Sequence, residues 1–300
     1  MNEYEKHCVE VLAENAFWRF ASSMPNTMWK YTKKIMMFLT KHNIVDYIGF
    51  SPSRIGYNQF QLHAKYFEGL KGTSIEQFMQ RLSQFENILL ENEDFKKYVK
   101  YMKKWEDTPK YVLGEKKTIE ISGRKKVLYK IIANKDFPSL TIDNIAHLIK
   151  KGTEGGYVES EKNLDQKGKC WIYRGITNHE SCVLEDAYVT DDSIIQYSQI
   201  KGRSIIKGLS FISFSNINNN TVIENSKIDQ TFCRDDTYIS DSQTYAVDVY
   251  DNVEIYNHSI IKNSVLLENI WIENCFITQS TLKGNAKIKK IDMKMNKMIF

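Results

Sequence analysis

The sequence predicts an α+β multidomain protein, in which an N-terminal helical domain precedes a C-terminal single-stranded parallel β-helix. Three observations support this fold class. A branched aliphatic residue returns every five or six positions from Val189 to Ile228, and again from Ile255 to Ile288. All four prolines lie at or before Pro138, and an uninterrupted β-ladder has little room for proline. The first hundred residues instead carry apolar residues at helical spacing.

Residues 1–110 are predicted to form the helical domain. Pro25 is a residue type that favours a helix start, and Asn92 is a typical N-cap. Pro109 disfavours helical geometry in the residue before it and therefore ends the last helix. The predicted helices cover residues 3–22, about 25–41, 59–70, 75–91 and 93–105, and residues 44–58 are predicted to be a loop.

Residues 111–157 are predicted to be an α/β junction that caps the β-helix. The alternation over 118–121 and 127–132, separated by a Ser-Gly turn, predicts a β-hairpin. A short helix is predicted over 141–150, and the glycines of 152–156 predict a turn before the coils begin at Tyr157 and Val158.

Residues 158–300 are predicted to form the β-helix. Val189, Ile206 and Ile223 lie 17 positions apart, with two further aliphatic residues inside each interval. Three short sides per coil, each with one inward aliphatic residue, describe a triangular parallel β-helix of 16–17 residues per coil. We expect the coils to be least regular over 230–252 and to end under a basic C-terminal tail, since 283–297 holds six lysines and one acidic residue.

Three segments carry a family likeness: 127–137 (VLYKIIANKDF), 155–164 (GGYVESEKNL) and 168–173 (GKCWIY). With the coils that follow, to about residue 290, they resemble a group of largely uncharacterised bacterial and phage proteins that look like relatives of the hexapeptide-repeat, polymer-forming β-helices. Tyr157 stands where that group usually has tryptophan. The resemblance implies a left-handed, hexapeptide-like β-helix and a phage or mobile-element origin.

Composition favours a cytoplasmic protein that needs no cofactor. The mean hydropathy is −0.44, and no apolar run approaches the ~18 residues of a membrane helix. The N-terminus lacks the pattern of a signal peptide. The five cysteines form no CxxC pair, so neither disulfides nor a zinc site is expected. The net charge of +4 is uneven, because 180–254 contains 13 acidic and 5 basic residues.

His179 and His258 are the candidates for catalysis. In the hexapeptide acyltransferases that the repeat resembles, a coil histidine deprotonates the acceptor, and acyl-CoA lies between the subunits of a trimer. Both histidines also suit ordinary coil corners, which is the interpretation that the sequence favours. The sequence contains no phosphate-binding loop, nucleophile elbow or HExxH motif.

The candidates for partner binding fall into three groups. The aromatic residues of the helical domain are typical interface anchors, although the same residues suit a core. The lysines of 96–104 alternate with aromatic residues, as in nucleic-acid-binding surfaces, but a stripe of Phe95, Val99 and Met102 favours a solvated helix face. Acidic residues at coil corners form either a docking face or solvated turns. The candidate residues are Trp18, Trp29, Tyr57, Tyr66, Lys97, Lys100, Lys104, Asp235 and Asp236.

The sequence therefore favours a non-enzymatic protein-binding or scaffold protein that forms homo-oligomers. The resemblance narrows this hypothesis to a phage or mobile-element inhibitor of a host defence complex. A trimeric acyltransferase that uses acyl-CoA is the first alternative, and a nucleic-acid-binding adaptor is the second and less favoured one.

Overall fold

The computed structural model describes residues 1–17, 26–41, 86–121, 123–140, 146–294 and 297–299. The chain divides into two compact units, Met1–Pro109 and Lys110–Phe300. The first unit is helical, and the second is built from β-strands and contains the parallel β-helix that the aliphatic period predicts.

The helical unit has four described helices: α1 (Glu3–Phe17), α2 (Asn26–Lys41), α3 (Glu86–Glu91) and α4 (Glu93–Asp107). The side chain of Asn92 accepts a hydrogen bond from the N–H of Phe95 at 2.9 Å, which confirms the predicted cap of α4. Phe95, Tyr98 and Met102 of α4 are buried in a core shared with α1, α2 and α3. None of the described helices is long and apolar enough to cross a membrane. The predicted loop over 44–58 and the helix over 59–70 lie outside the described residues.

The β-unit opens with the predicted hairpin, which is longer than expected. Strand β1 (Tyr111–Ile121) pairs antiparallel with β2 (Arg124–Ala133), and β2 pairs antiparallel with β5 (Glu154–Val158). A second hairpin joins β3 (Phe137–Leu140) to β4 (Ala146–Ile149), so the helix predicted over 141–150 is wrong at its described end. Phe137 is buried edge-on against Trp171, with ring centroids 5.3 Å apart, and this tertiary contact anchors the second hairpin.

The predicted glycine turn is also partly wrong. Gly152 does lie in a turn, with a φ of 88°, but Gly155 and Gly156 belong to strand β5. A Cβ on Gly155 would lie 2.5 Å from the carbonyl oxygen of Ile172 and 2.6 Å from Cγ1 of Ile131. The glycines are therefore required by the close approach of β5 to the hairpin and to the first coil.

The β-helix has three parallel faces, named here in the order in which the chain visits them. Face one contains β5, β7 (Ile176–Asn178), β10 (Ile194–Gln196), β13 (Phe211–Ser213), β16 (Lys227–Asp229), the first halves of β19 (Gln243–Val249) and β21 (Ile260–Leu267), β23 (Phe276–Thr278) and β26 (Asp292–Lys294). Face two contains β8 (Cys182–Val183), β11 (Gln199–Ile200), β14 (Asn216–Ile217), β17 (Phe232–Cys233), the second halves of β19 and β21, β24 (Thr281–Lys283) and β27 (Lys297–Ile299). Face three contains β6 (Trp171–Ile172), β9 (Tyr188–Val189), β12 (Ile205–Lys207), β15 (Val222–Glu224), β18 (Tyr238–Ser240), β20 (Val253–Tyr256), β22 (Ile270–Glu273) and β25 (Ala286–Lys289).

Each face buries one column of inward side chains. On face three the column is aliphatic throughout: Ile172, Val189, Ile206, Ile223, Ile239, Ile255, Ile272 and Ile288. Partners in adjacent coils lie 16 or 17 positions apart, as between Phe211 and Lys227 or Ile194 and Phe211. At the start of face one they lie 19 apart between β5 and β7 and 18 apart between β7 and β10. The predicted coil length is confirmed for the coils that follow.

The coils stay regular where the sequence predicts least regularity. Over 230–252 the strand pairing continues without interruption, and Cys233 and Thr244 take inward places that isoleucine holds elsewhere. The lysine-rich segment is not a separate tail, because β25, β26 and β27 pair with the preceding strands and form the last described coil. Ile277 and Leu282 are aligned there with Met293 and Met298.

Buried serine and threonine side chains connect successive coils before face two. Each Oγ accepts the N–H of the equivalent residue one coil later: Ser181 from Ser198 at 3.1 Å, Ser198 from Ser215 at 3.0 Å, and Ser215 from Thr231 at 3.0 Å. These side chains satisfy backbone donors at bends, where the strand ladder cannot. We call this column the serine ladder.

A polar network closes the first coil. Lys110 is 1% exposed, and its ammonium donates hydrogen bonds to the carbonyls of Lys167 and Cys170, both at 3.0 Å, and to Sγ of Cys170 at 3.1 Å. The hydroxyl of Tyr111 donates to the carbonyls of Glu161 and Leu164 at 2.9 and 2.7 Å. The start of the unit is therefore fixed by buried hydrogen bonds as well as by apolar contacts.

Candidate interaction surface

Three aromatic side chains are stacked at the corner between face one and face two. His179, Tyr197 and Phe214 occupy the same corner position in three successive coils. The ring centroids of His179 and Tyr197 are 4.2 Å apart, and those of Tyr197 and Phe214 are 4.7 Å apart with an interplanar angle of 3°. Tyr197 is 38% exposed and Phe214 is 59% exposed. We call this column the aromatic corner.

The aromatic corner is energetically unusual. Tyr197 and Phe214 have φ values of 48° and 47°, in the left-handed region. That conformation costs an ordinary L-residue about 1–2 kcal/mol, and Asn, Asp and Gly tolerate it better. Several other corners of this β-helix use Asn, Asp or Gly, as at Asn219, Asn263 and Gly202, and some, such as Gln230 and Gln279, use other residues, but Tyr197 and Phe214 are the bulkiest. Two bulky rings are held in a costly conformation where most of the Phe214 side chain meets solvent, and such outliers cluster at functional sites.

A shallow depression of roughly 700 Å³ runs beside the aromatic corner across face two. The rings of Tyr197, Phe214 and Phe232 supply its apolar wall. Polar groups from neighbouring coils alternate with these rings, namely Glu180, Gln199, Asn216, Gln230 and Asp248. Aromatic rings surrounded by polar side chains are typical of interface patches, whose apolar centre has a polar rim.

A charged pair, Lys126 and Glu159, contacts His179, the first residue of the stack. The carboxylate of Glu159 accepts the ammonium of Lys126 at 3.0 Å and the backbone N–H of His179 at 2.6 Å. Burial and the nearby charge of Lys126 lower the pKa of His179, whose Nδ1 lies 3.3 Å from Nζ of Lys126. Burial alone would raise the pKa of Glu159, but the bonds from Lys126 and His179 outweigh it and lower the pKa. The imidazole is therefore neutral and the carboxylate ionised at neutral pH.

The two candidate catalytic histidines lie at different corners. His258 follows face three at the corner that leads to face one, is exposed, and has a φ of 62°. It lines a separate depression of roughly 430 Å³ beside Leu209, which is 74% exposed. Among the described residues no group of three metal-ligating side chains comes together. Acyl transfer by either histidine stays a prediction.

The predicted partner-binding residues are distributed over both units. Lys97, Lys100 and Lys104 lie on the exposed side of α4, opposite its buried stripe. Asp235 and Asp236 lie at the corner between faces two and three, where they accept hydrogen bonds from the side-chain amides of Asn219 and Asn220 at 2.6 and 2.8 Å. Trp18, Tyr57 and Tyr66 fall outside the described residues. Trp29 belongs to α2, but the structure does not describe its side chain.

Tyr197 and Phe214 of the aromatic corner were not among the residues that the sequence singled out, whereas His179 was a candidate for catalysis. Its signal is the spacing His179, Tyr197, Phe214, in steps of 18 and 17 that match the coil length. This spacing can be recognised only when the corner positions are known, because an error of one residue in the assignment would place each ring beside the corner instead of at it.

The molecule as described is a parallel β-helix with an exposed aromatic corner and a separate helical unit. No family model matches the chain, and no curated protein matches it either.

Proposed function

We propose that this chain is a non-enzymatic protein-binding protein and that the aromatic corner is its principal contact surface. The observation that carries this proposal is the stack of Tyr197 and Phe214, exposed in a conformation that disfavours large side chains. Because the rings stand on a ladder of paired strands, little conformational freedom is left to lose on binding. Aromatic side chains with that preorganisation are typical binding hot spots.

A narrower version of the proposal concerns the setting in which binding occurs. The resemblance of about residues 127–290 to bacterial and phage β-helix proteins supports a phage or mobile-element protein that binds a host defence complex in the cytoplasm, as a homo-oligomer. Stacked coils that contact only their neighbours form a stiff rod, which suits repeated presentation of one surface.

The test compares wild type with Phe214→Asn and with Gln279→Asn as a matched control. Both variants place asparagine in the same corner column, at residues with φ values of 47° and 50°. Proteins captured from host lysate by the wild type are purified and titrated directly against each variant. Removal of a hot-spot ring costs about 2 kcal/mol or more of binding free energy, so we expect Phe214→Asn to bind at least about 30-fold more weakly. Equal affinity of wild type and Phe214→Asn for every captured partner would refute the proposal.

The acyltransferase alternative has a separate test. The neutral imidazole of His179 is the form that a general base requires. We expect the His179→Asn variant and a His258→Asn variant to leave the hydrolysis and transfer of acetyl-CoA at the level of buffer, as does the wild type. Turnover by the wild type that is lost in one variant would favour the enzyme instead.

A further inference from the structure

Face three presents two outward rows of side chains between its inward aliphatic residues. In one row, strand pairing places Tyr238 beside Glu254 and Glu254 beside Trp271. In the other row, Tyr256 is paired with Glu273. Neighbouring strands lie about 4.8 Å apart, so side chains that are paired in this way are in reach of one another. Between Tyr238 and Glu273 the outward surface of this face is therefore rich in rings and carboxylates.

Two of its carboxylates are neutralised by lysines within their own row. Glu224 accepts the ammonium of Lys207 at 2.6 Å, and Glu273 accepts that of Lys289 at 2.8 Å. In both cases the lysine stands directly opposite the acid in the strand pairing. The bond from the paired lysine lowers the pKa of each carboxyl below its ordinary value. On this face, Glu224 and Glu273 are therefore each neutralised by the lysine that is paired with them across the strands.

Glu254 has a different environment. Its two cross-strand neighbours are the rings of Tyr238 and Trp271, and no lysine or arginine of the described residues forms an ion pair with it. The hydroxyl of Tyr256 donates a hydrogen bond to its Oε2 at 2.9 Å. The ring of Tyr256 contacts both other rings, at centroid distances of 5.3 Å to Tyr238 and 5.9 Å to Trp271. An exposed carboxylate is thereby framed by three half-buried aromatic rings.

We propose that Glu254, Tyr238, Tyr256 and Trp271 form a binding site for a cationic side chain, arginine or lysine, of a basic protein segment. This group is called the acid-centred aromatic site. A cation placed over the rings gains cation–π attraction from them and an ion pair with the carboxylate that they surround. The site is distinct from the aromatic corner, and its existence does not depend on the function proposed for that corner.

Two observations support a cation as the ligand. The ammonium of Lys287 already lies over the ring of Trp271, 4.1 Å from its centroid, so this ring attracts a cation within the chain itself. The segment 180–254, which contains Tyr238 and Glu254, holds 13 acidic and 5 basic residues, so the coils that precede Trp271 complement a basic partner, while Lys287 and Lys289 lie in the coil that follows it. The same charge opposes nucleic acid, whose phosphates would meet carboxylates here.

The probe is a labelled oligo-arginine peptide, titrated against the full chain at low salt with fluorescence anisotropy as the readout. A matched peptide in which citrulline replaces arginine keeps the shape and removes the charge. We expect Glu254→Gln and Trp271→Leu each to weaken binding of the arginine peptide about five- to ten-fold. Glu115→Gln removes the same charge from an exposed glutamate of strand β1, outside both proposed surfaces, and we expect it to change the affinity less than two-fold, given the screening of surface charges.

Several results would overturn the proposal. Equal weakening by Glu254→Gln and Glu115→Gln would mean that the peptide responds to overall charge and not to this site. Binding of the citrulline peptide as tightly as the arginine peptide would exclude a cation as the ligand. Binding of a neutral oligosaccharide that Trp271→Leu abolishes and Glu254→Gln leaves intact would assign the rings to sugars instead. Circular dichroism of each variant shows that the β-helix is retained, and Glu254→Gln alone suffices for the decision if Trp271→Leu unfolds.

Discussion

Replacing Ser198 with alanine is a direct test of the serine ladder. The Oγ of Ser198 is buried, donates to the carbonyl of Gln196 at 2.7 Å, and accepts the N–H of Ser215 at 3.0 Å. The first bond contributes about 1 kcal/mol, and leaving the buried N–H of Ser215 without an acceptor costs about 1–3 kcal/mol. The carbonyl of Gln196 keeps a second donor, the N–H of Phe214 at 3.2 Å. We therefore expect Ser198→Ala to lower the free energy of unfolding by about 2–4 kcal/mol.

The matched control is Ser204→Ala. Ser204 is also buried, but its Oγ acts only as a donor, to the carbonyls of Lys201 at 2.7 Å and Asn219 at 3.2 Å. The carbonyl of Asn219 also accepts the N–H of Arg203 at 2.7 Å and stays satisfied. Without an orphaned N–H, the expected loss is only about 1 kcal/mol.

The measurement is urea-induced unfolding followed by circular dichroism, together with hydrogen exchange at the amide of Ser215. We expect Ser198→Ala to exceed Ser204→Ala in destabilisation by about 1–3 kcal/mol, and to accelerate exchange at Ser215 specifically. Equal destabilisation by the two variants, with unchanged exchange at Ser215, would show that the ladder does not serve as the acceptor for the backbone.

Three further outcomes are expected. Gly155→Ala should lower the free energy of unfolding by about 2 kcal/mol or more, because the new Cβ would lie 2.5 Å from a carbonyl oxygen. Gly123→Asn should lower it less, since nothing lies within 4 Å of a Cβ at that position, and thermal unfolding of the two variants tests the difference. Tyr111→Phe should cost about 1–3 kcal/mol in urea unfolding, because the buried carbonyl of Leu164 and the carbonyl of Glu161 lose the donor that they share. An unchanged free energy of unfolding would contradict this role of Tyr111. The pKa of His179 is lower in the folded than in the unfolded chain, so the unfolded chain binds more protons near and below about pH 6.5 and the free energy of unfolding falls on acidification. His179→Asn should therefore lose less stability than the wild type between about pH 7 and about pH 5, and parallel curves of unfolding free energy against pH would refute this.

The β-helix was predictable from the sequence because its signal is strictly periodic. Successive inward residues are one side of the triangle apart, and every third one falls on the same face. The spacing of 17 positions between Ile206 and Ile223 is therefore the length of one coil. The strand Ala146–Ile149 was not predictable in this way. Its conformation depends on pairing with Phe137–Leu140 and on the contact between Phe137 and Trp171, which lies far away in sequence.

The two surfaces were less accessible to sequence reasoning than the fold. Tyr197 and Phe214 are recognisable as unusual only when their left-handed corner positions are known, and the mixture of five- and six-residue sides hides those positions. The significance of Glu254 likewise depends on its cross-strand neighbours being Tyr238 and Trp271, where Glu224 has Lys207. Nearest neighbours on a coil surface are one full coil apart in the chain, so local patterns do not reveal them.

The nearest-neighbour character of the coils has an evolutionary consequence. Loss or duplication of one whole coil keeps every remaining coil in register with its new neighbour, because equivalent positions carry similar side chains. Such an event would move the aromatic corner relative to Glu254 by about 4.8 Å along the axis while each surface keeps its internal geometry. The distance between two binding surfaces can therefore change in discrete steps, independently of the residues that form them.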